Sequence, residues 1–227
     1  MGRLVAALAA EHGCEIAGIA EVDRPVEAAL AETGAVDAAI DFSHGEAVAA
    51  NLAALAARRV DVVIGTTGWQ AREAELRALA DRAGIGVLAS ANFSLGVNAF
   101  LFVVEEAARR FAPLEDAGAW IHEAHHAAKR DAPSGTALLL EAAMKAAGYA
   151  RPIDMSSTRA GSIPGTHVVG FDGRTETVTL THAVRDRAVF AHGALEAAKW
   201  VSGRRGWFTM RDMMGALPPP GAPGIRG

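Results

Sequence analysis

Along the first 95 residues, short apolar runs alternate with alanine-rich stretches in which polar residues recur at helical spacing. The runs "EIAGIAEV", "VDAAIDFS", "VDVVIGTTG" and "GIGVLASANFS" read as strands, and "GEAVAANLAALAARR" reads as one of the helices between them. Nearly continuous apolar runs suit strands buried on both faces. Their short connections to helices predict an α/β unit with a Rossmann-like doubly wound parallel sheet. Ligands of such sheets bind beyond the carboxyl ends of the strands. The opening "MGRLVAALAAEHG" predicts an amphipathic helix, because its apolar run ends at Glu11 and His12, too soon for a signal peptide.

The pattern changes after "ANFSLGVN". A helix is expected over about residues 97–111, a strand over "GAWIHEAHH" and a helix over "GTALLLEAAMKAAG". Then "DMSSTRAG", "HVVGFDG" and "ETVTLTHAV" show β-branched alternation around the turn signal Asp172-Gly173. They predict a second, α+β domain with an open mixed sheet. The helix "GALEAAKWVSG" follows, then "GWFTMRDMMG" as a last helix and "PPPGAPGIRG" as a frayed tail. The domain reading is therefore 1–95 with 204–227 for the first unit and 96–203 for the second.

Composition narrows the function. With 51% hydrophobic residues the chain can bury a sizeable core, and 22 basic against 26 acidic residues leave a net charge of -4. That balance argues against general affinity for nucleic acid or an anionic membrane. No window reaches the roughly 18 apolar residues of a membrane span, which points to a cytoplasmic protein. Cys14 is the sole cysteine, so neither an internal disulfide nor a cysteine-rich metal site is available.

The stretch "HEAHHAAKRDAPSGTA", residues 122–137, carries two incompatible chemistries. Its first five letters fit HExxH, which chelates zinc when both histidines share a helix face. The flanking "GAWI" and the break at Pro133 predict a strand instead, where His122 and His126 lie about 13 Å apart, too far to share an ion. No metal is expected. The other reading is an acid grip: His125, His126, Lys129 and Arg130 cluster on one loop, and Ser134 caps a helix whose first amides, at Gly135 and Thr136, face outward to an anion. On spacing alone, a capped helix behind a solvated basic loop is an equal alternative.

"EAHHAAKRDAPSGTA" resembles the signature of the dihydrodipicolinate reductases, and "DFSHGEAV", "GTTGW", "ANFSLGVN", "RAGSIPGTHVVGF" and "AHGALEAAKW" follow in that family's order. The resemblance implies a pyridine-nucleotide enzyme of the diaminopimelate route to lysine, acting on a small cyclic dicarboxylate. Carried over by position, His125 and Lys129 take the catalytic places, and His126, Gly135 and Thr136 the carboxylate-binding places. Gly65, Thr66 and Thr67, with Ala91, Asn92, Phe93 and Ser94, take places around the nicotinamide half of NADH or NADPH. Glu21 falls where an acidic side chain meets the adenosine ribose. With Val22 rather than a basic residue beside it, NADH is the favoured cofactor, although Arg24 lies close behind. The resemblance also implies a homotetramer built through the second domain's sheet.

The match departs from the family at its start. Family members open with a strand leading into G-x-x-G-R-M-G, whereas this chain begins Met1-Gly2-Arg3. A start codon assigned too far downstream and a true truncation are both open readings. Used as printed, the chain is expected to hold the pyrophosphate weakly, because that turn supplies backbone donors, and to survive, as the alternative to a reductase, as a binding or oligomer-forming module without turnover.

Overall fold

The computed structural model describes residues 1–215, so the expected frayed tail at 218–227 lies outside the described residues. The chain divides into two compact units, one formed by residues 1–95 with those from Ala188 onward, the other by Gly96–Arg187.

The first unit is built on a four-stranded parallel sheet. In chain order it contains α1 (Gly2–Leu8), α2 (Val26–Ala31), β1 (Ala38–Asp41), α3 (Val48–Ala57), β2 (Asp61–Ile64), α4 (Glu73–Ala83) and β3 (Gly86–Ala89). Later segments belonging to it supply helices and one more strand: α7 (Ala188–Val201), β8 (Gly206–Phe208) and α8 (Met210–Gly215), the numbers between falling in the second unit. Strand order is β1-β2-β3-β8, with Ile40 paired to Val63, Val63 to Leu88, and Leu88 to Phe208. β2 is buried at every position because helices cover both faces. Val62 and Ile64 face a core with Leu52, Leu55 and Leu76 from α3 and α4, while Val63 faces Ala194, Ala197 and Val201 from α7. Asp61 is also buried, and its carboxylate accepts the amides of Gly86 and Gly203 at 2.7 Å each. Both charged oxygens are thereby satisfied at the base of the sheet.

Three expectations need correction here. "EIAGIAEV" is not a strand: residues 15–20 are irregular, Ile16, Ile19 and Val22 are exposed, and the segment's one bridge is the local pair Glu21–Arg24. A strand exists only through its neighbour's hydrogen bonds, and among the described residues this run has no such neighbour. The segment "GWFTMRDMMG" starts not as a helix but as β8, whose Trp207 pairs with Val87 at the sheet edge. Finally, α7 packs on β1, β2 and β3, so residues 188–203 group with the first unit rather than the second.

The second unit comprises α5 (Leu95–Phe111), β4 (Gly118–His125), α6 (Gly135–Ala146), β5 (Ile153–Arg159), β6 (Thr166–Asp172) and β7 (Thr177–Ala183). Its sheet runs β5-β4-β6-β7; β4 and β5 are parallel, and the remaining pairs antiparallel. The Asp172-Gly173 signal does mark a hairpin, closed by the Gly173 amide on Glu176 at 2.9 Å. One sheet face buries Ile121, Val169 and Phe171 against Val104 and Ala108 of α5 and Leu140 and Met144 of α6. Tyr149 is fully buried beside them, its hydroxyl donating to the Ala117 carbonyl at 2.6 Å under the Arg151 guanidinium. In this mixed sheet the inward positions of β4 are Ala119, Ile121, Glu123 and His125. Apolar residues thus give way to ionisable ones toward the strand's carboxyl end.

Candidate active site

In the first unit, the carboxyl ends of β1 and β2 lead into loops that line a cleft of about 290 Å³. Gly65, Thr66 and Thr67 come from the second loop, and Phe42, Ser43, His44 and Gly45 from the first, with Met1 at the rim. Asp41, the last residue of β1, organises both loops. Its Oδ1 accepts from the Ser43 amide at 2.8 Å, the Ser43 hydroxyl at 2.6 Å and the Thr66 hydroxyl at 2.8 Å, and its Oδ2 from Asn51 at 3.0 Å. The loops approach so closely that only glycine fits: a Cβ on Gly65 would lie 2.1 Å from the Phe42 ring, and one on Gly45 2.8 Å from the Thr67 carbonyl. Bare backbone is what a flat aromatic ligand or a phosphate needs for close approach.

The other nucleotide candidates are placed differently. In the turn after β3, Ala91 is exposed and the Asn92 side chain accepts the Ser94 amide at 2.9 Å, but Phe93 is buried among the α7-side apolar residues. Gly193 of α7 explains the fit, since a Cβ there would sit 1.7 Å from the Phe93 carbonyl. These four residues are outside the cleft lining, and so is Glu21, which lies on the exposed turn closed by its backbone bonds to Arg24. The Arg24 guanidinium is turned onto Glu32 at 2.6 Å.

In the second unit, the end of β4 carries the acid-gripping stretch. The first four of the HExxH letters lie on this strand and His126 just after it, with the His122 ring bonded to Ser156 of β5 at 2.9 Å. Alternation sends Glu123 and His125 together to the opposite, inward face. Glu123 is fully buried and is the hub: it bonds His125 Nδ1, takes two bonds from Arg159 at 2.6 and 2.8 Å, and accepts the Ser134 amide at 3.2 Å. Burial alone would raise its pKa, but hydrogen bonds from Arg159, Ser157 and His125 outweigh that and lower it to about 2. Burial lowers the His125 pKa, with Glu123 opposing. His167, from β6, stands edge-on to the His125 ring at 5.2 Å; burial brings its pKa down to about 4, which keeps it neutral. Its Nε2 meets the Ser134 hydroxyl at 3.0 Å.

After β4, the loop keeps His126 half-buried and brings Lys129 Nζ onto the Asp131 carboxylate at 2.7 and 2.9 Å. The Lys129 bond, and an amide bond from Gly135, lower the Asp131 pKa. Ser134 caps α6, accepting from the Ala137 amide at 3.2 Å. Gly135 is exposed and Thr136 partly so at the helix start, where the dipole favours an anion. The structure therefore gathers His125, Lys129, Gly135 and Thr136 at one sheet end, with His126 beside them. Sequence reasoning missed Asp41, Glu123, Arg159 and His167. Glu123 did leave a signal, a carboxylate at an inward strand position two residues before a histidine; Arg159 opens the motif "RAGSIPGTHVVGF", but its pairing with Glu123 comes only from the β4–β5 register.

A parallel doubly wound unit with a glycine-lined cleft, joined in sequence to a mixed-sheet unit with a histidine-lysine cluster, defines a two-domain oxidoreductase of the pyridine-nucleotide class. Sequence models described as "Dihydrodipicolinate reductase, N-terminus" and "Dihydrodipicolinate reductase, C-terminus" match residues 2–93 and 96–214. The chain belongs to the dihydrodipicolinate reductase family. Among its relatives, the 4-hydroxy-tetrahydrodipicolinate reductase of Methanoregula boonei is 36% identical over 218 residues, covering 89% of this chain and 82% of that one. The enzyme of the same name from Caldanaerobacter subterraneus is 37% identical over 241 residues and 94% of each chain. A solved dipicolinate-bound dihydrodipicolinate reductase from Paenisporosarcina sp. TG-14 shares the fold, with a TM-score of 0.69 at 22% identity over 80% of this chain and 74% of that one.

Proposed function

We propose that this protein reduces 4-hydroxy-tetrahydrodipicolinate to tetrahydrodipicolinate with NADH or NADPH, in lysine biosynthesis through diaminopimelate. The observation that carries the reading is the cluster after β4, where His125, Lys129 and the capped start of α6 meet at one sheet end. It suits a dicarboxylate. His126 and the amides of Gly135 and Thr136 hold the substrate's carboxylates, and an incoming carboxylate competes with Asp131 for Lys129. When bound, the nucleotide supplies a hydride. The residues that fit it are Gly65, Thr66 and Thr67 with the Ser43–Gly45 loop, which together line the cleft at the carboxyl ends of β1 and β2. Loss of the 4-hydroxyl as water leaves a ring with a carbon–carbon double bond conjugated to the imine; hydride addition to that ring leaves electron-rich carbon, so a proton must follow. Lys129 as ammonium delivers it and His125 shares the proton transfer, a kind of assistance that contributes about 10² to 10⁴-fold.

NADH is the favoured cofactor in this reading. Glu21 repels a 2′-phosphate, and Arg24 is engaged with Glu32. The active form is a cytoplasmic homotetramer assembled through the second unit's sheet, whose other face presents Trp120, His122, Thr158 and Thr179. A module that binds without turnover is less favoured, because both family halves match and the histidine-lysine cluster is intact. The deciding assay is oxidation of NADH and of NADPH on adding the freshly formed product of dihydrodipicolinate synthase. Absence of substrate-dependent oxidation with either nucleotide would overturn the proposal, and light scattering measures the assembly.

A further inference from the structure

Beyond the residues that touch substrate, the second unit contains a fully buried carboxylate that the reaction does not itself consume. Glu123 spends its two oxygens on His125, on Arg159 and on the Ser134 amide. Through His125 it meets the proton-handling residue, and through Ser134 it meets the residue that caps α6, whose first amides face the substrate. One carboxylate thus ties both halves of the cluster together. The histidine has little choice of orientation: its other nitrogen, Nε2, faces Gly165, where a Cβ would come within 3.1 Å and where the backbone holds φ at +151°, a conformation suited to glycine.

We propose that Glu123 is a positioning residue for this reaction: it fixes His125 with Nδ1–H donated to its carboxylate, leaves Nε2 as the face that takes and gives the catalytic proton, and sets the start of α6 through Ser134. The inference rests on the reductase reading for its kinetic consequence, though not for the ring geometry. A buried carboxylate facing Nδ1 stabilises the tautomer with hydrogen there, and it stabilises the ring when the second proton arrives on Nε2. The ionisable groups facing His125 are Glu123 from its own strand, Arg159 from β5, His167 from β6 and Lys129 from the following loop; burial, Lys129 and Arg159 oppose protonation, and Glu123 favours it. Neutral His167 contributes little charge. Burial sets the downward direction of the His125 shift, and Glu123 works against it, so removing the Glu123 charge moves the change of state further down the pH scale.

Two measurements test this. In the wild-type chain, the nitrogen chemical shifts of the His125 ring should report Nδ1 protonated and Nε2 bare above its titration; the opposite tautomer overturns the proposal whether or not any variant folds. In Glu123→Gln, the amide keeps the size but loses the charge, so kcat should fall about 10²-fold and the acidic limb of the pH profile should move to lower pH, while the KM for the nucleotide stays within about twofold of wild type. An unchanged profile and kcat in a folded Glu123→Gln would sink the proposal. If the wild-type chain turns over no substrate, it is the reductase reading that fails, and the ring tautomer still decides the role of Glu123.

Discussion

Replacing Arg159 by methionine isolates the energetics of the buried hub. The substitution keeps most of the aliphatic stem but removes the guanidinium, and with it bonds at 2.6 and 2.8 Å to Glu123 and one at 2.6 Å to the Asp131 carbonyl. Glu123, fully buried, then keeps its charge without its main partner. A carboxyl held at about 2 instead of its ordinary 4.5 contributes on the order of 3 kcal/mol to stability at neutral pH. That agrees in size with the roughly 3–5 kcal/mol lost when one member of a buried ion pair is deleted.

The pH dependence gives the sign. Because the folded-state pKa is depressed, this stabilisation is fully present above the unfolded value of about 4.5 and is lost as pH falls through about 2. In Arg159→Met the folded pKa rises toward or above the ordinary value, so little of that stabilisation exists at any pH. The difference in unfolding free energy between wild type and variant should therefore be about 3 kcal/mol at pH 7 and shrink toward zero between about pH 4.5 and pH 2. Urea denaturation of both proteins across that range, followed by circular dichroism, measures the difference directly. A gap that is small at pH 7, or that stays constant down to pH 2, would refute the claim that Arg159 acts by holding Glu123 ionised.

Other substitutions probe the remaining parts of the site. Lys129→Ala should lower kcat by about 10² or more with little change in the KM for the nucleotide, since its proton matters as charge develops in the ring; ordinary turnover in steady-state assays would remove it from the mechanism. His126→Ala should chiefly raise the KM for the dicarboxylate, because a carboxylate contact is shared by ground and transition states, and a fall in kcat alone would contradict the assigned role. Gly65→Ala places a Cβ 2.1 Å from the Phe42 ring, so calorimetry should show nucleotide affinity at least about tenfold weaker, a loss of 1.4 kcal/mol, with dicarboxylate binding retained. Finally, kcat/KM should favour NADH over NADPH, and Glu21→Gln should narrow the ratio by relieving repulsion of the 2′-phosphate; equal constants in the parent protein would refute the role given to Glu21.

What could be read in advance follows the range of the interactions. β2 and β3 were legible because strands buried on both faces run almost wholly apolar, and β4 because its alternation and following proline exclude a helix. The same local pattern misled at "EIAGIAEV": eight residues with strand-like composition make no strand unless another chain segment takes their hydrogen bonds, and composition carries no record of the neighbour. Helix α7 was recognised as a helix but assigned to the wrong unit, since an apolar stripe says that a face is buried and not against which sheet. The same division runs through the site. His125, Lys129, Ser134 and Gly135 lie within eleven residues and signal one another by spacing. Glu123 and Arg159 are brought together by a parallel register at a sequence separation of 36, and Asp41 reaches Thr66 at a separation of 25. Both carboxylates act on residues that the motif does name, and both do so from strand ends, the one place in an α/β sheet where a side chain is rigidly held yet faces a ligand. The motifs contain Asp41, Glu123 and Arg159 as letters, whereas the partner that each of these charges holds is set by pairing across its own unit's sheet, which is why the hub of each unit is legible only in three dimensions.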